Sequence, residues 1–337
     1  HCGRAGAQFP VSQARWMLPE GMAETLAPSS WALEDLRRKL LDHYRVAGYA
    51  LILTPLVEHL DSLLTGSAED LEQQTFKLID PESGRLLGLR ADMTPQAARV
   101  AARHYAHQDI VKLCYLGTVL RATAPEPGQS RSPRQVGCEI FGEPGLGADI
   151  EAINLMLQSL ALAGVSSVAL DLGHVGVYRG VVQHLALSAA DEGELFRMVQ
   201  RKSGPDMRQW MSALGLEASV RQLLIDLLDL NGGLDVLDAA ASRLAAAGDT
   251  VQQALAQLRA VCEAIQAQPS PPDIHVDLAE LRGYRYKTGL VFAAFVADHG
   301  REIARGGRYD GVGAAFGEHR PATGFSADIN ELLRLGL

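Results

Sequence analysis

Cysteine is scarce and scattered. Cys2, Cys114, Cys138 and Cys262 form no CxxC pair and stand at no metal-ligand spacing from a histidine, which argues against a disulfide scaffold and against a zinc site. Basic residues are in short supply too: 31 Lys and Arg face 40 Asp and Glu, and the net charge of −9 repels nucleic acid at long range. No apolar run reaches membrane-spanning length, no secretory signal is evident, and the glycines never take the GxGxxG spacing. A reduced, cytoplasmic protein without metal or cofactor is the expectation.

What is present suits a globular chain. The 337 residues are 47% hydrophobic and 21% charged, enough for two domains or for one domain with an insertion. One local exception to the acidity runs from Arg85 to Arg134, with eight Lys or Arg against three acids. These arginines are read as serving an anionic ligand and the surface. Residues 1–14 are expected to be a disordered or added N-terminal segment outside the fold.

The informative stretch is KLCYLGTVLRATAPEPGQSRSPRQVGCEIFG, residues 112–142. It predicts strands over 112–121 and 134–141, separated by a loop whose Pro125, Pro127, Gly128 and Pro133 forbid regular pairing. Alternation puts Val136, Cys138 and Ile140 on one apolar face and Gln135, Gly137 and Glu139 on the other. Gly117 and Arg121 join the second face. An amide, a carboxylate and a guanidinium beside two glycines suggest the floor of a pocket for a small polar molecule, the glycines leaving it room. Cys114 and Cys138 are expected in the core.

Elsewhere the periodicity predicts a helix over 30–47 with Ser30 as N-cap, then an edge strand broken by Pro55. Strands are expected over 75–79 and 86–89 around the turn Asp80-Pro81-Glu82-Ser83-Gly84. A helix then opens with Thr94 as N-cap and Pro95 in its first turn, just after Asp92. A helix over 149–162 and a strand over 168–172 follow. Residues 175–268 carry helical spacing interrupted at Gly204-Pro205 and Gly232-Gly233, and read as a helical subdomain inserted into the sheet. Strands resume at 274–278, pass around Asp298-His299-Gly300 to Gly306-Gly307, and end in a strand and short helix over 322–335.

The QVGCEIFG and GGRYDG runs, with the RG pair at Arg282, resemble histidyl-tRNA synthetases and, within that family, the synthetase-like regulatory subunits of ATP phosphoribosyltransferase. The resemblance runs from about Leu18 onward. It implies an α+β fold: a class II synthetase-like antiparallel sheet flanked by helices over 15–174 and 269–337, with 175–268 as the helical insertion. It also implies a histidine site made of Asp92, Thr94, Arg121, Gln135, Glu139, Arg282, Tyr286 and Tyr309, in which Asp92 and Thr94 hold the amino group. Lys287 stands where the synthetases have a second tyrosine.

The ATP machinery departs from the synthetase pattern at Thr123, Ala124, Arg134, Asp328, Asn330 and Glu331, the last replacing a phosphate-clamping arginine. An acid there reverses the charge that phosphoryl chemistry needs, and no compensating cation is evident nearby in sequence. Adenylation is expected to fail. No separate anticodon-gripping domain is expected in the six residues after Glu331. The resemblance thus implies a non-catalytic subunit that binds histidine, forms a homodimer core within a hetero-oligomer, and activates the short-form ATP phosphoribosyltransferase catalytic subunit under feedback by histidine. A truncated class II amino-acid ligase and a tRNA-sensing pseudo-synthetase stay open as alternatives.

Overall fold

The computed structural model describes residues 16–65, 69–124, 129–281, 283–317 and 319–336. Residues 1–14 and Arg282, both named above, lie outside the described residues.

The first helix, α1 (Ser29–Val46), buries Leu33, Leu36, Leu40 and Tyr44 along one stripe. Ser30 is not its cap: the N-cap is Pro28, with no side-chain cap bond. A proline there carries a restricted φ into the first turn, so the helix starts without a capping hydroxyl. The chain continues through β1 (Ala50–Leu51) and β2 (Val57–His59) to α2 (Leu60–Leu64) and α3 (Glu69–Gln74). Next come β3 (Phe76–Ile79), β4 (Leu86–Leu89), α4 (Thr94–His104), β5 (Val111–Thr118) and β6 (Arg134–Phe141). The Asp80 to Gly84 turn joins β3 to β4 as predicted: the Gly84 N–H donates to Asp80 O at 2.8 Å, and Gly84 has φ +70.

After α5 (Leu146–Leu162) and β7 (Val168–His174) comes a run of helices: α6 (Val175–Leu185), α7 (Ala189–Gln200), α8 (Gly204–Ala213) and α9 (Ala218–Asp229). The bridge β8 (Asn231–Gly232), α10 (Val236–Arg243) and α11 (Asp249–Gln266) complete it. The chain returns to the sheet as β9 (Asp273–Asp277), β10 (Leu290–Val296), β11 (Ala304–Arg308) and β12 (Ala322–Asp328), and α12 (Ile329–Leu335) follows.

Nine strands form one sheet in the order β1-β5-β6-β12-β11-β10-β7-β9-β8, and β2-β4-β3 form a small second sheet. The large sheet is mixed rather than wholly antiparallel, because β1 runs parallel to β5 and β9 parallel to β7. Both parallel pairs join strands separated by helices, the long crossover that parallel pairing requires.

The two faces of the sheet differ. One carries Cys114, Val136, Cys138 and Ile140 into a core that runs from Leu33 on α1 to Trp210 and Leu258 in the helical run, so those helices and the sheet share one apolar interior. Burial holds the Cys114 and Cys138 thiols above their ordinary range, as expected of core rather than reactive cysteines. The other face carries a smaller cluster built on Met93, Leu113, Tyr115, Phe141 and Tyr309. Among the described residues no helix is long and apolar enough to cross a membrane.

Candidate functional site

Strand register assembles the site on the second face. Glu139 on β6 lies opposite Leu113 on one side and Gly324 on the other; Gly137 lies opposite Tyr115 and Ser326. The glycines do not leave the ligand room in the way the sequence suggested. A Cβ on Gly137 would sit 2.4 Å from Tyr115 Oη, and one on Gly117 would sit 2.5 Å from an Arg90 terminal nitrogen. The protein's own side chains fill those spaces. Gly324 has the matching role for the acid, since a Cβ there would lie 1.9 Å from Glu139 Oε2.

Glu139 is therefore held rather than free. The Tyr115 hydroxyl donates to Oε1 at 2.9 Å, and the Tyr309 hydroxyl donates to Oε2. With the Tyr115 proton so engaged, the Thr94 hydroxyl is left to donate to Tyr115 Oη across 3.2 Å. Burial pushes the Glu139 carboxyl up to about 7, against the hydrogen bonds of Tyr309 and Tyr115 and the nearby Lys287 charge.

Thr94 is inside its helix, not at the cap. The N-cap is Met93, and Asp92 just before it accepts from the Thr94 N–H through Oδ1 at 2.9 Å. The Thr94 hydroxyl is thereby released toward the pocket. Gln135 donates to the same Asp92 oxygen at 2.8 Å and accepts from the Met93 N–H at 2.8 Å, so both ends of its amide position the 92–94 turn.

A cavity of about 290 Å³ is lined by Asp92, Thr94, Glu139, Tyr286, Lys287 and Tyr309, among others. It brings together five of the eight residues proposed from sequence. Tyr286 and Tyr309 stack with centroids 5.0 Å apart at 16°. The GGRYDG run is fixed from behind by Arg308, which donates to Asp149 Oδ2 at 2.8 Å and to Gly145 O at 3.0 Å. Lys287 Nζ lies 5.4 and 5.3 Å from the two ring centroids.

Arg121 and Gln135 instead line a neighbouring cavity of about 690 Å³, which shares Gln74, Arg305 and Ser326 with the first. Burial and the repulsion of Arg305 lower the Arg121 pKa while Asp92 and Asp328 oppose that shift, and its Nε is buried without a hydrogen-bond partner among the described residues.

Here the expectation about Glu331 needs correction. Compensating cations exist: Glu331 Oε1 accepts from Arg301 Nε at 3.0 Å and from Arg334 at 3.3 Å, and it also accepts from His299 Nε2 at 2.7 Å. Arg301 and His299 stand about thirty positions before Glu331, too far for sequence proximity to show, whereas Arg334 stands three positions after it, one helical turn away. The other departures also bind one another. Arg134 donates through its side chain to Asn330 Oδ1 at 2.8 Å and through its backbone N–H to Asp328 Oδ1 at 3.2 Å.

Sequence reading passed over Arg305 as a site residue and treated Lys287 only as a departure. Arg305 pairs across β11 with Ser326 and Ala293, on the row that contains Gly137, so alternation through the ARGGR strand was the available signal.

The histidyl-tRNA synthetase family model matches residues 21–332. An ATP phosphoribosyltransferase regulatory subunit from Thioalkalivibrio sulfidiphilus is 50% identical over 322 residues, covering 95% of this chain and 81% of that protein. The crystal structure of an ATP phosphoribosyltransferase regulatory subunit/histidyl-tRNA synthetase from Bacillus halodurans matches with TM-score 0.86 and 28% identity, covering 96% of this chain and 83% of that one. A chain of the ATP phosphoribosyl transferase complex from Thermotoga maritima shares the fold, with TM-score 0.69, 16% identity and coverage of 91% and 98%.

Proposed function

The chain belongs to the family of ATP phosphoribosyltransferase regulatory subunits, which share the histidyl-tRNA synthetase fold, and from that premise we propose how it acts. It is a subunit without catalysis of its own, serving the first step of histidine biosynthesis as partner of the short-form catalytic subunit. It raises that subunit's activity and passes on inhibition by histidine.

The observation that carries this reading is the small cavity. A carboxylate held by two tyrosines, a second acid bonded to the first N–H of a helix, a threonine hydroxyl beside them and a stacked aromatic wall suit a free amino acid with a planar side chain. Asp92, Thr94 and Glu139 hold the ammonium, and Tyr286 and Tyr309 wall the imidazole. Arg121 lies toward the carboxylate from the larger cavity, joined by Arg282 on the strength of the resemblance. Gln135 contributes by positioning Asp92. A ligand bound but not consumed regulates only by favouring one conformation or assembly over another.

Residues 175–268 are a helical insertion, the protein works in the cytoplasm, and it forms a homodimer core. For the dimer the supporting feature is apolar surface at and beside the small sheet, where Leu53 and Ile79 are 79% and 68% exposed. Nucleic acid is not a partner, because Arg99, Lys112 and Arg134 of the basic stretch are engaged with Glu58, Glu151 and Asn330.

The test is ATP phosphoribosyltransferase activity of the short catalytic subunit with and without this chain, across a histidine titration. Activation by the chain, with histidine inhibiting only the complex, is the expected result. Equal activity and equal sensitivity with and without it would reject the role.

A further inference from the structure

The turn between β9 and β10 that lines the small cavity is closed locally and then fastened to α6 and α7. Gly283 O accepts from the Tyr286 N–H at 2.8 Å and from the Lys287 N–H at 2.7 Å, and the Thr288 N–H donates to Arg308 O at 2.8 Å. Arg179 on α6 supplies the first fastening: its guanidinium donates to Lys287 O at 2.7 Å, to Tyr284 O at 3.3 Å and, at the limit of such a bond, to Thr288 O at 3.5 Å. It also lies over the Tyr284 ring, 5.2 Å from the centroid. That ring is the second fastening. It meets Tyr178 of α6 edge-on, with centroids 5.0 Å apart at 88°, and Phe196 of α7 at 5.4 Å. Phe196 is followed on α7 by Arg197 and Met198, which line a groove with Trp210 of α8, a side chain only 9% exposed. In so densely packed an interior, α7 cannot shift at Phe196 without shifting beside Trp210.

Resting on the histidine reading above, we propose that Arg179 is a positioning residue that joins the small cavity to the helices, so that seating a ligand there is transmitted through the 284–288 turn to α7 and to Trp210. A ligand in the cavity bears on a turn whose carbonyls are tied to α6 and whose Tyr284 ring is gripped by α7. Its preference for one position of the turn thereby becomes a preference for one position of the helices. A planar guanidinium suits this task because a fixed fork of donors holds several carbonyls in one geometry, which a lysine ammonium does not reproduce. Without it the turn still closes on Gly283 and Arg308, but only the Tyr284 ring links it to the helices.

Trp210 supplies the readout. The chain has three tryptophans, and Trp16 and Trp31 are largely exposed, so Trp16→Phe with Trp31→Phe leaves Trp210 as the sole indole of an otherwise unaltered full chain. Histidine is titrated into this parent by calorimetry and by Trp210 emission. The emission should change saturably, with its midpoint at the calorimetric Kd. Adding Arg179→Met should weaken histidine about tenfold and cut the emission change at saturation at least about threefold, while Arg179→Lys, which keeps the charge but not the fork, should fall between. An arginine with a merely structural role would lower the melting temperature on replacement and leave histidine affinity and the saturating emission change as they were. That result overturns the proposal, and so does a parent that binds histidine with no change in Trp210 emission. If Arg179→Met does not fold, Tyr284→Leu and Arg179→Lys decide. Tyr284→Leu keeps the carbonyl bonds and removes the ring contacts, so affinity should stay within about threefold while the emission change falls at least about threefold. A full emission change in both variants overturns the proposal. A parent that binds no histidine by calorimetry refutes the histidine reading and this proposal with it, an outcome distinct from binding without transmission.

Discussion

The two cavities share a sheet face and three lining residues, yet their charges are arranged in opposite ways. In the smaller one, Glu139 is held by neutral hydroxyls, Lys287 Nζ donates to Gly307 O alone, and the Tyr286 hydroxyl has no partner among the described residues. In the larger one, Glu331 gathers His299, Arg301 and Arg334 about a single oxygen, so the charge of that carboxylate is answered within the protein. A site keeps its capacity for a ligand where polar groups are held in place but not satisfied. It loses that capacity where they neutralise each other.

The most severe test of this contrast asks the larger cavity to do chemistry. No histidine-dependent pyrophosphate exchange with ATP should rise above a no-protein control. Clear exchange would mean that the cluster around Glu331 opens to a triphosphate, and the contrast would collapse.

In the smaller cavity, Glu139→Ala removes a charge-assisted acceptor of about 1.5 to 3 kcal/mol, so histidine affinity by calorimetry should fall roughly ten- to a hundredfold. Unchanged affinity with the fold intact would place histidine elsewhere.

Acidity sharpens the comparison. The Glu139 carboxyl is raised to about 7 in the free protein, and a ligand ammonium favours its ionised form, so lowering the pH from about 8 to about 6 should cost about tenfold in affinity through this group. The effect on stability has the other sign. A group whose pKa rises on folding stabilises the fold below its unfolded value, and that contribution is lost as pH rises through the folded value. Acidification across this range should therefore raise the melting temperature of the ligand-free wild type relative to that of Glu139→Gln. Parallel pH profiles for the two proteins would show that Glu139 does not titrate there.

The smallest effect belongs to Glu331→Gln. Histidine affinity should stay within about twofold, while chemical denaturation should show a loss of about 1 to 2 kcal/mol, modest because Arg334 is largely in solvent. A large loss of histidine binding would show that the two cavities act as one.

Much of this was legible in sequence where the cause was local. The alternation of Gln135, Gly137 and Glu139 against Val136, Cys138 and Ile140 gave the faces of β6, and the Asp80 to Gly84 composition gave its turn. Legibility failed where the cause came from across the chain. Glycine at 137 and 117 was read as open space, but whether such space goes to a ligand or to Tyr115 and Arg90 depends on strand register. Thr94 had the residue type of a cap, yet Asp92 two positions earlier reached its N–H first. Of the partners of Glu331, His299 and Arg301 lay two strands earlier, outside any local pattern, while Arg334 lay within one helical turn.

The position of β12 has a consequence in time. It is among the last strands in sequence yet lies between β6 and β11, and it brings Gly324 to face Glu139. During synthesis, β5 and β6 can pair early, but the sheet remains in two parts with open edges until residue 328 has emerged and inserted. Throughout that interval the nascent chain exposes unpaired strand edges, the feature most prone to association with other chains. A ligand of the small cavity cannot assist, because Gly324 and Phe325, which line it, arrive only with this strand.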